Sequence, residues 1–208
     1  MIVKAFKTDK IVPGRTIFEV LDKYLPDVPE KSVVAITSKI VGICEGRVIP
    51  IGQARKQDLV VEEADFYLPE NLSKYGFSFT ITHHTLIPAA GIDESNGNGN
   101  YVLWPKDPQK SANGIRHYLA EKFKLKEIGV VITDSTARPL HYGTEGVAIG
   151  YSGFSPSNDY VGQKDLFGRE FKVSISNVVD GLASAVAVLA RDHAGQAGRD
   201  ERAGQGGS

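Results

Sequence analysis

The sequence contains only one cysteine, Cys44, among its 208 residues, so an intrachain disulfide is excluded and a reducing compartment is favoured. No apolar run approaches the roughly 20 residues of a membrane-spanning helix, and the N-terminus lacks the apolar stretch of a signal peptide. The net charge of −1 gives no overall field to attract nucleic acid or an anionic membrane. We therefore expect a cytoplasmic protein without a nucleic-acid or membrane partner, in which any anionic ligand is held by a local site.

Several standard motifs are missing as well. Neither the GxxxxGK[ST] loop nor the GxGxxG loop occurs, so a nucleotide, if bound, is held in another way. Cys44 lies in an apolar stretch that is typical of a buried small hydrophobe rather than a nucleophile. His83 and His84 are adjacent, and neighbouring residues of a strand face opposite sides, so the pair is not expected to bind one metal ion.

The apolar residues follow a mixture of helical and strand periodicities. Helices are predicted over 17–25, 38–46, 54–68, 108–123 and 178–189, and strands over 2–6, 32–37, 77–83, 101–104, 128–133, 147–151 and 171–175. Because helices and strands do not alternate regularly, we predict an α+β fold with mixed, largely antiparallel sheets and flanking helices. Residues 1–190 are predicted to form one domain. Residues 191–208 contain no Ile, Leu, Val or aromatic residue and are predicted to be a disordered, low-complexity tail.

Two acidic loops are the strongest candidates for a functional site. Asp93 and Asn96 lie in the segment AAGIDESN, where Asp93 could bind Mg²⁺ or Mn²⁺ and Asn96 could donate to a phosphate. Asp134, Ser135 and Arg138 lie in ITDSTARP, where the carboxylate and hydroxyl could bind a cation and the guanidinium could pair with a phosphate or carboxylate. Taken singly, the first loop is more simply a turn and the second a helix cap or a salt-bridged loop. Together they favour a two-metal site, which needs carboxylates from separate segments.

Two further groups of cationic residues are weaker candidates. Lys39, with Ser38 before it, follows a predicted buried strand and could bind phosphate at a helix start. Lys164 and Arg169, in a charged, glycine-containing stretch over 159–170, could bind an anionic substrate. Solvated side chains that form local ion pairs are an equally good interpretation of that stretch.

Five segments in order resemble the coenzyme F420-0:L-glutamate ligase family over roughly residues 32–185. They are TSKIVGICEGRVI, THHTLIPAAGIDESN, VVITDSTARP, GVAIGYSGFSP and DYVGQKDLFGREFKVS. The resemblance implies a gamma-glutamyl-ligase-like fold, an intertwined homodimer, and amide formation between L-glutamate and F420-0 through an acyl phosphate. It further implies GTP as co-substrate and two divalent ions, Mg²⁺ or Mn²⁺, with K⁺ as an additional candidate.

The resemblance also assigns roles to individual residues. It implies that Asp93 and Asp134 bind the first metal ion and that Ser135, in place of the family's usual Thr, binds the second. Ser38, Lys39 and Asn96 correspond to nucleotide-contacting residues. We therefore take Asp134 and Arg138 as the catalytic candidates and Lys164 and Arg169 as the substrate-binding candidates.

The sequence departs from the family pattern at several positions. Ile43 occupies the position of a second lysine, residues 6–10 lack the family's Gly/Pro loop, and Gly146 replaces an Asp. The family's glycine-and-glutamate segment after the last helix is replaced by 190–193 and the tail, and we expect a truncated or frameshifted C-terminus to be the cause. These departures leave two alternatives to an active F420-0 ligase: a ligase for a different carboxylate, or a non-catalytic nucleotide or metal binder.

Overall fold

The structure is a computed structural model, and it describes residues 2–74 and 76–189. Five helices accompany ten short strands in that part of the chain. The helices are α1 Ile17–Tyr24, α2 Ser38–Cys44, α3 Lys56–Glu63, α4 Pro108–Phe123 and α5 over 179–189. The strands are β1 Ser32–Thr37, β2 Val48–Pro50, β3 Phe66–Leu68, β4 Phe79–Thr82, β5 Thr85–Pro88, β6 Asn100–Val102, β7 Ile128–Thr136, β8 Glu145–Ser152, β9 Ser157–Asp159 and β10 Ile175–Asn177.

The strands form four small sheets, and most of their pairs are antiparallel. One sheet has the order β1-β7-β8, with β1 and β7 parallel and β7 and β8 antiparallel. The others are β3-β4-β5, β2-β6 and β9-β10, all antiparallel. The predicted α+β class with mixed, largely antiparallel sheets is therefore confirmed.

The main core lies between the β1-β7-β8 sheet and helices α1, α2 and α4. Buried residues of the two layers pack together there, among them Ile36, Ile132, Ile115 and Leu119. A second cluster joins α3, β6 and the segment before Asp93. A third, smaller cluster consists of Ile87, Trp104 and Val147 and connects β5 to β8. The site described below lies where these clusters meet.

Capping residues explain where two of the helices begin. Thr16 and Glu19 form a capping box at α1, in which each side chain accepts a hydrogen bond from the backbone of the other. Asp107 caps α4 by accepting a hydrogen bond from the Lys110 N–H, and Pro108 occupies the first turn. The predicted starts of these helices are confirmed.

Four of the predicted elements differ from the structure. Residues 2–6 form no strand, and strand β10 begins at Ile175 instead of covering 171–175. The predicted helix over 54–68 ends at Glu63, since Phe66–Leu68 pairs with β4. His83 and His84, predicted at a strand end, are the two turn residues of the β4–β5 hairpin, both with positive φ.

No helix among the described residues has the length and apolar character needed to cross a membrane. The predicted tail over 191–208 and the substituted segment over 190–193 lie outside the described residues.

Candidate active site

Both acidic loops line the same cavity. This cavity has a volume of about 400 Å³, and its lining includes Asp93, Asp134, Lys39, Ser95 and Ser135. These residues come from three segments that are far apart in the sequence. The convergence expected of the two loops is therefore present in the structure.

Strand pairing positions Asp134 beside the start of α2. Strands β1 and β7 run parallel, with Thr37 opposite Thr133, so the residues that follow these two, Ser38 and Asp134, lie at the same edge of the sheet. Ser38 is buried, and its hydroxyl lies near enough to the Asp134 carboxylate to lower the pKa of that group. The sequence predicts that the strand ends before Asp134, but β7 continues to Thr136.

Asp134 is held by donors on both of its carboxylate oxygens. The Trp104 indole N–H donates to Oδ2, and the Ser135 backbone N–H donates to Oδ1 at 2.7 Å. Burial raises the pKa of Asp134 above its ordinary value, and the negative charge of Asp93 adds to that effect, while the hydrogen bonds oppose it. The carboxylate is therefore half-buried and fixed in orientation, and a nearby positive charge would stabilise its ionised form.

Asp93 is presented by a turn of unusual backbone geometry. Ala89, Ala90 and Gly91 all have positive φ, at 51°, 52° and 72°. Such angles are unfavourable for alanine and require support from the surrounding structure. Part of that support comes from buried Thr80, whose Oγ1 accepts a hydrogen bond from the Ala90 N–H at 3.0 Å.

Lys39 neutralises Asp93 within the cavity. Its Nζ lies 2.7 Å from Asp93 Oδ2 and donates to the Ser95 carbonyl at 2.7 Å. Ser95 in turn donates to both Asp93 oxygens, from its N–H at 2.7 Å and from its hydroxyl at 2.9 Å. Burial alone would raise the pKa of Asp93, but the hydrogen bonds from Lys39 and Ser95 outweigh it, and the pKa is lowered.

The donor set fits a hard divalent cation that keeps several of its water ligands. Two carboxylates and the Ser135 hydroxyl border one cavity, and oxygen is the donor that Mg²⁺ and Mn²⁺ prefer. Among residues 2–74 and 76–189, no cluster contains three or more histidine, cysteine, aspartate or glutamate side chains that could hold a metal ion. A fully protein-made metal cage is thus absent from this part of the chain, whereas Mg²⁺ usually binds one or two carboxylates together with substrate phosphates.

The remaining predicted site residues lie elsewhere. Asn96 is exposed next to Ser95, with a φ of 56°. Arg138 Nε lies 2.6 Å from Glu145 Oε1 and its Nη2 lies 4.0 Å from Asp180, which matches the salt-bridged alternative for this loop. Its neighbour Ala137 lines the cavity.

Lys164 and Arg169 are exposed on the segment that joins β9 to β10. They do not border the cavity that holds Asp93 and Asp134. The Arg169 N–H is bound to the Asp165 carboxylate at 2.9 Å, so this segment is organised by its own hydrogen bonds. Within one chain, the two residues are separate from the acidic site.

Trp104 is a site residue that the sequence did not reveal. The segment YVLW is typical of a buried strand. Nothing in it indicates that the indole contacts the carboxylate of Asp134, 30 residues later. Cys44, expected to be buried, is half-buried, and burial raises the pKa of its thiol to about 11, which disfavours the nucleophilic thiolate.

Comparison with known proteins agrees with this picture. The family model described as F420-0:Gamma-glutamyl ligase matches residues 5–198. The chain is 33% identical to the coenzyme F420:L-glutamate ligase of Methanopyrus kandleri over 196 residues, covering 86% of this chain and 77% of that protein. It is 35% identical to the enzyme of the same name from Methanococcus maripaludis, covering 86% and 78%. Against the Methanocaldococcus jannaschii enzyme it is 41% identical over 123 residues, covering 58% and 49%.

Proposed function

The chain belongs to the F420-0:gamma-glutamyl ligase family, and we propose that it joins L-glutamate to coenzyme F420-0 in a reaction driven by GTP and assisted by divalent cations. The observation that carries the proposal is the convergence of Asp93, Asp134 and Lys39 on one cavity. A bound triphosphate needs divalent cations to neutralise it, and the cations need carboxylates to hold them. This cavity provides two carboxylates and a lysine.

The reaction requires two transfers. In the first, a carboxylate oxygen of F420-0 attacks the γ-phosphorus of GTP, and GDP leaves as an acyl phosphate forms. In the second, the amine of glutamate attacks the acyl carbon, loses a proton and expels phosphate, which leaves an amide. A divalent cation at this site would neutralise the triphosphate and the charge that develops on its oxygens.

The chain's own residues hold the reactants in this proposal. Asp93 and Asp134 would hold the cation, and the Ser135 hydroxyl would add an oxygen donor. Lys39 and Ser38, at the start of α2, contact the nucleotide together with Asn96. Most of the rate enhancement then comes from holding the carboxylate in line with the γ-phosphoryl group.

Product analysis tests the proposal directly. The protein is incubated with GTP, Mn²⁺, L-glutamate and F420-0, and GDP and glutamylated F420-0 are measured by chromatography and mass spectrometry. Formation of both is expected for the native chain and for Asp27→Asn, an exposed Asp-to-Asn control, but not for Asp93→Asn. Formation of GDP without the glutamylated product would indicate that the acceptor is an acid other than F420-0. GTP binding without GDP would overturn the ligase in favour of a nucleotide binder.

We also propose that the protein acts as a homodimer. The arm between β9 and β10 exposes large apolar side chains, with Leu166 at 99% and Phe167 at 96% exposure. The β3-β4-β5 sheet exposes a row of apolar residues in cross-strand register, Phe66, Ile81 and Leu86. Exposed apolar surface of this extent is typical of an interface. A second copy would also allow Lys164 and Arg169, on the same arm, to approach a cavity other than their own.

Measurement of the solution mass tests the dimer. Phe167→Glu should convert the dimer to a monomer by light scattering, because a buried carboxylate at the interface is costly. Ile51→Glu, at a half-exposed apolar residue outside the arm, serves as the control and should remain dimeric. A native chain that is monomeric at high concentration would contradict the proposal.

A further inference from the structure

We infer that Trp104 is a positioning residue for the cation site, because its indole N–H fixes the Asp134 carboxylate in the orientation that binds the cation. The inference rests on the proposed function, since it assumes that Asp134 is a cation ligand. It adds to the site a residue that lies outside the two acidic loops and whose side chain is uncharged and largely apolar.

The two hydrogen bonds from Trp104 and Ser135 are made to different oxygens of the Asp134 carboxylate. Trp104 Nε1 donates to Oδ2, and the backbone N–H of Ser135 donates to Oδ1. A carboxylate held by one donor on each oxygen cannot rotate without losing one of them. Each oxygen keeps a further lone pair, so both remain able to bind a cation.

The indole has chemical properties that suit this role. It donates one hydrogen bond and accepts none, so it cannot bind the cation itself or take up a proton near neutral pH. Trp104 is only 2% exposed, and a hydrogen bond to a charged group is stronger where water is excluded. Outer donors that orient a metal-binding side chain typically matter tenfold to a hundredfold for metal affinity.

The surrounding structure holds the indole in place. A Cβ at Gly91 would lie within 3.0 Å of the indole ring atoms, so only glycine leaves room for the ring in this position. The Trp104 carbonyl accepts a hydrogen bond from Arg47 Nε at 3.0 Å, and Arg47 is paired with Glu63. Both ends of Trp104 are therefore restrained, which is what accurate placement of a carboxylate requires.

The test uses the fact that Trp104 is the only tryptophan in the sequence. Growth of a tryptophan auxotroph on 3-benzothienylalanine replaces the indole N–H by sulfur at this position alone and retains the ring shape. 7-Azatryptophan, which retains the N–H, is the matched control. Mn²⁺ affinity is measured by electron paramagnetic resonance, and folding is checked by circular dichroism.

The expected result is Mn²⁺ binding about tenfold to a hundredfold weaker in the benzothienyl protein, with affinity close to native in the 7-aza protein. Equal Mn²⁺ affinity in all three would overturn the role of Trp104 while leaving the proposed function intact. If the unmodified protein bound no Mn²⁺ and formed no GDP, the proposed function would fail, and the inference with it.

A second measurement on unmodified protein guards against misfolding of the benzothienyl form. A single indole resonance is expected in the ¹H–¹⁵N spectrum, belonging to Trp104. Mg²⁺ should shift it and Mn²⁺ should broaden it, because the N–H is bound to a cation ligand. A resonance unchanged by saturating amounts of both ions would overturn the inference.

Discussion

Replacement of Gly91 by alanine should destabilise the protein more than the same change at Gly46. Both glycines have a φ of 72°, so alanine pays the same left-handed backbone cost at each, about 1–2 kcal/mol. A Cβ at Gly46 would meet no atom within 4 Å, whereas a Cβ at Gly91 would overlap the Trp104 indole. Forcing a methyl group into a packed site costs a further ~1–3 kcal/mol. The unfolding free energy should therefore fall by about 2–5 kcal/mol for Gly91→Ala and by about 1–2 kcal/mol for Gly46→Ala.

Urea and thermal unfolding measure this difference. In a chain of this size, 1 kcal/mol shifts the melting temperature by about 2–4 °C, so the two variants should differ by several degrees. Gly91→Ala should also weaken Mn²⁺ binding, because the indole must move away from Asp134, and Gly46→Ala should not. Equal destabilisation by the two changes would refute the reasoning, since it would mean that the indole can move away from the added methyl group without a cost in stability.

Three further predictions concern charged residues in or near the site. In metal-free protein, Asp134→Asn should gain stability relative to native as pH rises, because the raised pKa of Asp134 gives stability that is lost as pH rises through the folded value. Asp93→Asn should lose stability relative to native above the ordinary aspartate pKa, because the lowered pKa of Asp93 gives stability that is lost as pH falls. Both follow from melting temperatures measured across pH in EDTA. Arg138→Gln should lower the unfolding free energy, measured by urea unfolding, by about 1 kcal/mol, as expected for a partly exposed ion pair. If Arg138 also has its predicted catalytic role, turnover per folded molecule should fall at least tenfold in the same variant.

Each of these predictions has an outcome that contradicts it. Parallel pH profiles for native protein and both Asp variants would show that neither carboxylate changes its pKa on folding. For Arg138, normal turnover with reduced stability would assign the side chain to structure alone. Thus the ion-pair interpretation and the catalytic interpretation of Arg138 separate in one set of measurements.

Local sequence patterns predicted the elements that are stabilised by their own composition. Ser32–Thr37 and 128–133 were identified as strands because they are β-branched and continuous, and α4 was identified from its Asp-Pro start. The pattern did not reveal that β1 and β7 lie side by side in parallel, which is what brings Ser38 to Asp134. Strand pairing is a long-range property, and the residues of each strand do not encode it alone.

Errors arose where distant contacts override local preference. Phe66–Leu68 continues the apolar spacing of α3, yet it forms a strand because β4 offers a partner to its backbone. His83 and His84 form a two-residue turn although neither is a residue type that favours positive φ as glycine does. In both cases the structure of the β3-β4-β5 sheet decides the conformation.

The geometry of the site depends on contacts between separate parts of the core. Asp134 is carried by β7 in the main core, whereas Asp93 follows a turn that packs with α3 and β6 in the second cluster. Trp104 connects the two parts: its ring packs with Ile87 and Val147, and its N–H binds Asp134. A sequence that retained both acidic motifs but lost this tryptophan would keep the carboxylates and lose their alignment, because neither motif determines its distance from the other. The motifs therefore predict the chemistry, and the packing around Trp104 determines whether the two carboxylates can act on one ion.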